Sequence, residues 1–252
     1  MEHHSLVAGQ FGATASAYLT STVHATGADL DTLATEIGAS KDARVLDLGC
    51  GAGHASFAVA PHVREVVAYD IAQPMLDVVA AAALERGLST VTTRQGPAEK
   101  LPFGDGEFDC AISRMSAHHW RNVPAALAEV RRVLKPGGRV LFIDIAGIDE
   151  PLLDTHIQAV ELLRDPSHIR DYRADEWQTF FAEAGFSDVR VRERWRLPIG
   201  FDAWVARMRT SALHIDAIRS IWSGAPDEVK TYFDLQADCS FKLDVLMIEA
   251  KA

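Results

Sequence analysis

Three glycines and two carboxylates stand close enough in this sequence to build a ligand cradle. Gly49, Gly51 and Gly53 occupy alternate positions directly after the apolar run Arg44-Val-Leu-Asp-Leu48. Glycine lets a backbone turn tightly, and it lets a ligand lie against the chain with no Cβ in the way. Asp70 closes the next apolar run, about twenty residues beyond Gly49, where a Rossmann-type site places an acid for the two ribose hydroxyls. A carboxylate there selects for a nucleoside. Asp70 also fits as the cap of a helix beginning near Pro74, and a strand-end Asp can do both.

The spacing G-x-G-x-G departs from the G-x-G-x-x-G of dinucleotide sites, which also need a helix N-terminus free for pyrophosphate. S-adenosylmethionine (SAM) carries no phosphate. Its amino-acid tail brings an ammonium that wants an acceptor, and Asp47 suits that role, directly or through water. The other reading of Asp47 is a buried hydrogen bond within the turn.

A second set of candidates lies further along. His118 and His119 follow an apolar run, and imidazole takes up a proton near neutral pH. Either is a candidate general base; equally, one packs under a lid and the other faces solvent. Trp120 is a candidate pocket wall, and Asp144 closes the following strand, where it orients a substrate or caps the next segment. Arg170, Tyr172, Arg207 and Arg209 are candidates for an anionic or aromatic acceptor, against pairing with surface carboxylates. Cys50, Cys110 and Cys239 lack metal-ligand spacing, so no metal site is expected, and free thiols fit a reducing compartment.

These residues need elements to hold them. Short apolar runs alternate with helical patterns: strands at 44–48, 65–70, 89–95, 107–113 and 139–145, helices at 52–60, 74–86 and 123–134. That alternation predicts a Rossmann-like α/β fold with a mostly parallel sheet and helices on both faces. Two more strands, 186–195 and 240–249, bring the sheet to seven. Helices are expected over 152–164 and 174–184, and a mostly helical stretch over 198–236 reads as a lid insertion. Residues 13–37 are helix-permissive, broken at Gly27. The expected division is a helical lid segment at 1–37, a ligand-binding core at 38–146, and the remaining strands with helical lid insertions at 147–252. Four of the five tryptophans lie between Trp177 and Trp222, which fits an aromatic-lined lid or an ordinary small core.

Charge narrows the partners. Acidic residues number 35 against 25 basic, a net charge of −10, which disfavours nucleic acid. Arg190, Arg192, Arg194 and Arg196 alternate along one strand and read as a solvated face near the sheet edge. No apolar run is long enough to span a bilayer, and residues 1–11 carry no leader-like pattern. The expected location is the cytoplasm.

Val45 to Gly53 resembles the first signature motif of class I SAM-dependent methyltransferases. Gly96-Pro-Ala-Glu-Lys-Leu-Pro-Phe103, Phe108-Asp-Cys-Ala-Ile-Ser113 and Arg132-Val-Leu-Lys-Pro-Gly-Gly-Arg-Val140 resemble the later motifs of the UbiE-like (type 11) branch. Ser116-Ala-His-His-Trp120 and Trp204-Val-Ala-Arg-Met-Arg209 are similar to a YafE-like bacterial subgroup. The resemblance implies that Asp47, Gly49 and Gly51 hold the methionine part of SAM. It implies that Asp70 binds the ribose, with Ile71 and Met75 against the adenine. Ala98 would offer its backbone N–H to the adenine edge, Ser113 its backbone carbonyl to the ammonium, and Tyr18 would close over the methionine end. Pro97 stands where relatives often carry Asp, so adenine recognition there falls to backbone or water. The expected activity is methyl transfer to oxygen or carbon of a small molecule, releasing S-adenosylhomocysteine (SAH). The alternatives are a non-catalytic SAM-binding protein, a nicotinamide-dependent dehydrogenase, and a methyltransferase acting on tRNA or another macromolecule.

Overall fold

The computed structural model describes residues 2–15, 27–37 and 41–252. Its centre is a seven-stranded sheet in the order β3-β2-β1-β4-β5-β7-β6. The strands are β1 (Arg44–Leu48), β2 (Glu65–Asp70), β3 (Val91–Gln95), β4 (Phe108–Arg114), β5 (Leu134–Ile145), β6 (Ser187–Ile199) and β7 (Phe241–Lys251). The first five pair in parallel; β7 runs antiparallel to β5 and β6. The chain winds outward from β1 to β3, then returns to place β4 on the other side of β1. That reversal opens a crevice at the carboxyl ends of β1 and β4, where ligands of open α/β sheets bind.

Alternation along β1 builds two cores. Val45 faces one side with Leu33 and Ile37, while Leu46 and Leu48 face the other with Val130 and Phe181. The first face carries α2 (Ala28–Ile37), α3 (His54–Val59), α6 (Pro151–Arg164), α8 (Phe201–Arg207), α9 (Ala212–Gly224) and α10 (Asp227–Tyr232). The second carries α5 (Val123–Val133) and α7 (Ala174–Glu183). Asn122 starts α5 by accepting a hydrogen bond from Ala125 N at 3.0 Å. α4 (Gln73–Glu85) packs on β2 and β3, with Leu76 and Val79 against Ala68.

Three boundaries differ from expectation. The first helix, α1 (His3–Gly12), lies before the helix-permissive stretch expected over 13–37; within that stretch α2 begins just after Gly27, and 16–26 lie outside the described residues. The expected helical stretch from Pro198 starts later, because β6 continues to Ile199. Proline is tolerated there because β6 is an edge strand, paired only with β7. β5 begins early, at Leu134, with a register shift opposite Phe108 and Cys110.

The tryptophans divide between the two readings. Trp177 packs edge-on to Phe142, and Trp222 against Phe233 and Phe241, both as ordinary core. Trp204 is buried and also lines the ligand crevice. The arginine row sits on the sheet edge as expected, and it is largely paired: Arg190 and Arg192 with Glu249, Arg192 with Glu36, Arg196 with Asp244.

Candidate active site

The loop after β1 is held by the end of β2. Gly49 N and Cys50 N both donate to Tyr69 O, at 2.8 and 3.0 Å. Gly49 has φ +69°, and a Cβ on it would lie 1.9 Å from Ser116 Oγ. Asp70 ties two elements together: it accepts from Gly51 N and from Ala72 N at the start of α4, each at 2.9 Å. It thus braces the turn into α4 without being its cap, since the N-cap is Ala72 and no side chain caps that helix, and it also lines the crevice.

Asp47 is buried at the end of β1. One oxygen accepts from Ser56 Oγ at 2.6 Å; the other, Oδ1, has no hydrogen-bond partner. Burial pushes its carboxyl up to about 6, partly offset by the Ser56 hydrogen bond. An unpartnered buried carboxylate oxygen is costly unless a donor arrives. An ammonium supplies that donor, so the residues present fit the amino-acid tail of SAM.

The loop after β3 forms the opposite wall. Tyr69 OH donates to Pro97 O at 3.1 Å and to Lys100 O at 3.2 Å, which fixes Pro97, Ala98 and Glu99. A Cβ on Gly96 would lie 2.0 Å from that hydroxyl. Ile71 and Met75 complete the apolar slot.

One crevice thus gathers Asp47, Gly49, Gly51, Asp70, Ile71 and Met75, together with Ala98, His118 and His119. Ser113 is not brought to its surface: it is buried one residue behind Arg114, and its Oγ has no hydrogen-bond partner. Tyr18 lies outside the described residues.

The two histidines separate by environment. They sit on a short 3₁₀ turn, Ala117–His119, after β4. His118 Nδ1 lies 2.5 Å from Asp144 Oδ1 on β5, and its backbone N–H donates to Asp144 Oδ2 at 3.2 Å. Burial opposes a charge on the ring, but the Asp144 carboxylate outweighs it and holds the imidazole up at about 9. Nδ1 is engaged by the carboxylate, which leaves Nε2 for a reacting group. His119 donates Nδ1 to Ser167 O at 3.2 Å. Burial and the neighbouring His118 push it down to about 3, so it stays neutral. Phe11 meets the His119 ring edge-on at 4.8 Å.

α1 roofs the crevice with His4, Val7 and Phe11. It is tied down by His3 Nε2 to Ser167 O at 3.1 Å and by Gln10 Nε2 to Met208 O at 3.0 Å. Beyond His118 the crevice continues between β5, β6, β7, α6 and α8, with Glu161, Arg164 and Arg207 on its wall. Of the arginines weighed from sequence, Arg207 reaches this wall, whereas Arg170 pairs with Asp154 and Glu176. Tyr172 packs on Trp177 and Phe180 instead of on the crevice. Among the described residues no group of three or more His, Cys, Asp or Glu is arranged to hold a metal.

Sequence reasoning did not reach Tyr69, Glu161 or Arg164. Glu161 and Arg164 are spaced as an i,i+3 pair, which on a helix reads as a surface ion pair. Tyr69 reads as one more apolar residue of a buried strand.

A family model described as "Methyltransferase domain" matches residues 46–142. The Escherichia coli (strain K12) protein named "Uncharacterized protein YafE" is 49% identical over 80% of this chain and 97% of its own length. The chain belongs to this methyltransferase family. The Bacillus subtilis (strain 168) "Uncharacterized methyltransferase YcgJ" is 35% identical over 95% of this chain and 96% of that protein. The crystal structure of YcgJ gives a TM-score of 0.83, covering 88% of this chain and 97% of that one. The family resemblance extends to the "Ubiquinone/menaquinone biosynthesis C-methyltransferase UbiE" of Burkholderia cenocepacia (strain HI2424), 38% identical over 43% of this chain and 46% of that protein. The mostly parallel seven-stranded sheet expected from sequence is the sheet of the family.

Proposed function

We propose that this chain binds SAM in the crevice between β1, β2 and β4 and methylates an oxygen or carbon of a small-molecule acceptor, with His118 as the general base. The observation that carries the reading is Asp144 holding His118 Nδ1 at 2.5 Å beside the glycine cradle. SAM, when bound, supplies a methyl group already activated by a sulfonium.

The chain's own residues do the rest. Asp47 accepts from the ammonium through Oδ1. Asp70 receives the ribose hydroxyls with the lone pairs that Gly51 and Ala72 leave free. Ile71 and Met75 flank the adenine, and the backbone of Ala98 meets its edge. Burial under α1 excludes water. His118 Nε2 removes the proton from an acceptor hydroxyl or acidic carbon, while Asp144 keeps the ring in the correct tautomer and stabilises the charge it acquires. A net charge of −10, with Arg190, Arg192 and Arg196 of β6 paired to carboxylates, supports a small acceptor over a nucleic acid. Three free cysteines suit a cytoplasmic setting.

The test is SAH formation with acidic hydroxy compounds as acceptors, read by mass spectrometry. His118→Gln should lower kcat by about a hundredfold or more with SAM affinity retained. A wild-type protein that binds SAM yet releases no SAH with any acceptor would leave only the non-catalytic reading.

A further inference from the structure

The inner end of the crevice is chemically unlike the SAM cradle. Leu197, Ile199 and Leu243, from β6 and β7, give it apolar walls. Two arginines line the same crevice. Arg164 is the last residue of α6, and Arg207 the last residue of α8.

A cation at a helix C-terminus is favoured by the macrodipole alone, but that effect leaves the head group in water. Arg164 is not in water: its side chain is 10% exposed. Its Nε donates to Trp204 O at 3.1 Å, and its guanidinium lies 4.9 Å over the Trp204 ring. Thr210 Oγ1 donates to Arg164 O at 2.9 Å, which locks the ends of α6 and α8 together. The group is thus rigid and its stem is committed. Its two terminal nitrogens make no hydrogen bond among the described residues; the Glu161 carboxylate stands 3.6 Å from Nη1. Arg207 lies one turn beyond Trp204 on α8 and lines the same wall.

A rigid guanidinium in an apolar chamber, ion-paired to Glu161 on one side and without a hydrogen bond from its terminal nitrogens, with Arg207 as a second positive charge on the same wall, leaves a net positive site that matches the planar fork of a carboxylate. A phosphate monoester fits poorly. It would bring a second negative charge to two helix C-termini, whose carbonyls already make that end negative, beside Glu161. We propose that this end of the crevice is a carboxylate subsite, and that the methyl acceptor is an apolar hydroxy acid. Its carboxylate docks on Arg164 and Arg207, its hydrocarbon body lies against Leu197 and Ile199, and its hydroxyl reaches His118. This assignment rests on the methyltransferase reading and adds the substrate class to it.

The experiment titrates SAH-loaded protein with p-hydroxybenzoate, p-coumarate and ω-hydroxylaurate, each beside its primary amide. The amide keeps shape and removes charge. At least one acid should bind about tenfold or more tightly than its amide. In Arg207→Gln and in Arg164→Gln that preference should fall to about threefold or less, with SAH affinity retained as the check on folding. If Arg164→Gln loses SAH binding, Arg164→Lys keeps the charge without the fork, and the preference should still shrink. Equal binding of acids and amides, no binding of any acid to protein that holds SAH, or a preference that survives in the arginine variants would overturn the subsite. Failure of the wild type to bind SAH at all would instead remove the methyltransferase reading, and the subsite with it.

Discussion

Asp47 has one oxygen hydrogen-bonded to Ser56 and one without a partner, and its carboxyl is raised to about 6 by burial. It must be ionised to attract an ammonium, and the ammonium of an amino acid stays charged throughout this range. SAM affinity should therefore be full above about pH 7 and weaken by about tenfold per unit below pH 6. Calorimetry across pH checks this, and Asp47→Asn should bind weakly with a flat profile. His118 has the opposite sign. Its proton is held to about 9 by Asp144, so the free enzyme carries an imidazolium at neutral pH. If it is the base, kcat/KM for the acceptor should climb with pH and level off near 9. Asp144→Asn removes the largest influence that raises His118 and leaves burial opposed only by the more remote Asp171 and Glu161, so the limb should move down from 9, while kcat falls by about a thousandfold or more through loss of the right tautomer. An unmoved limb in Asp144→Asn would assign the titration to another group.

At the scale of elements, α1 serves the site more than the core. Its one buried residue is Val7, yet His4, Val7 and Phe11 all face the crevice. Removing residues 2–12 should raise the Kd for SAM by about tenfold or more and shift Tm by about 2 °C or less, measured by calorimetry and thermal melting. An unchanged Kd would show that the roof plays no part in binding. The limits of the sequence are clearest here. β1, its glycine turn and Asp70 are local patterns, complete within a few residues, and they could be read directly. The roof was legible only as a helical lid segment within 1–37; how it is anchored was not, because α1 has little amphipathic contrast and is held through His3 and Gln10, which reach Ser167 and Met208 more than 150 residues away. Pro198 misled for a related reason: its effect depends on β6 being an edge, which only the sheet order reveals. Asp144 and His118 were both visible as candidates, but their pairing requires β4 and β5 to be neighbours.

The whole molecule is closed by β7, whose Glu249 sits between Arg139 and Arg190 at 2.7 and 2.8 Å. Burial alone would raise that carboxyl; the guanidiniums outweigh it and hold it down at about 2. A depressed carboxyl contributes stability that is fully present above its unfolded value near 4.5 and is lost as pH falls through 2. Glu249→Gln should cost about 2 kcal/mol at pH 7 by urea unfolding, and the difference from wild type should vanish near pH 2. A constant difference across that range would mean that packing, and not charge, is what Glu249 supplies. No helix among the described residues is long and apolar enough to cross a membrane.

The most direct measurement is calorimetric titration of the wild-type protein with SAM and SAH, with NAD as the comparison, at pH 7.5 (about 1.5 units above the Asp47 carboxyl). One equivalent of SAM and of SAH should bind, with no heat from NAD, and Asp47→Asn should lose most of the SAM affinity. Binding of NAD in place of SAM, or SAM binding that Asp47→Asn leaves intact, would contradict the site assigned to this crevice.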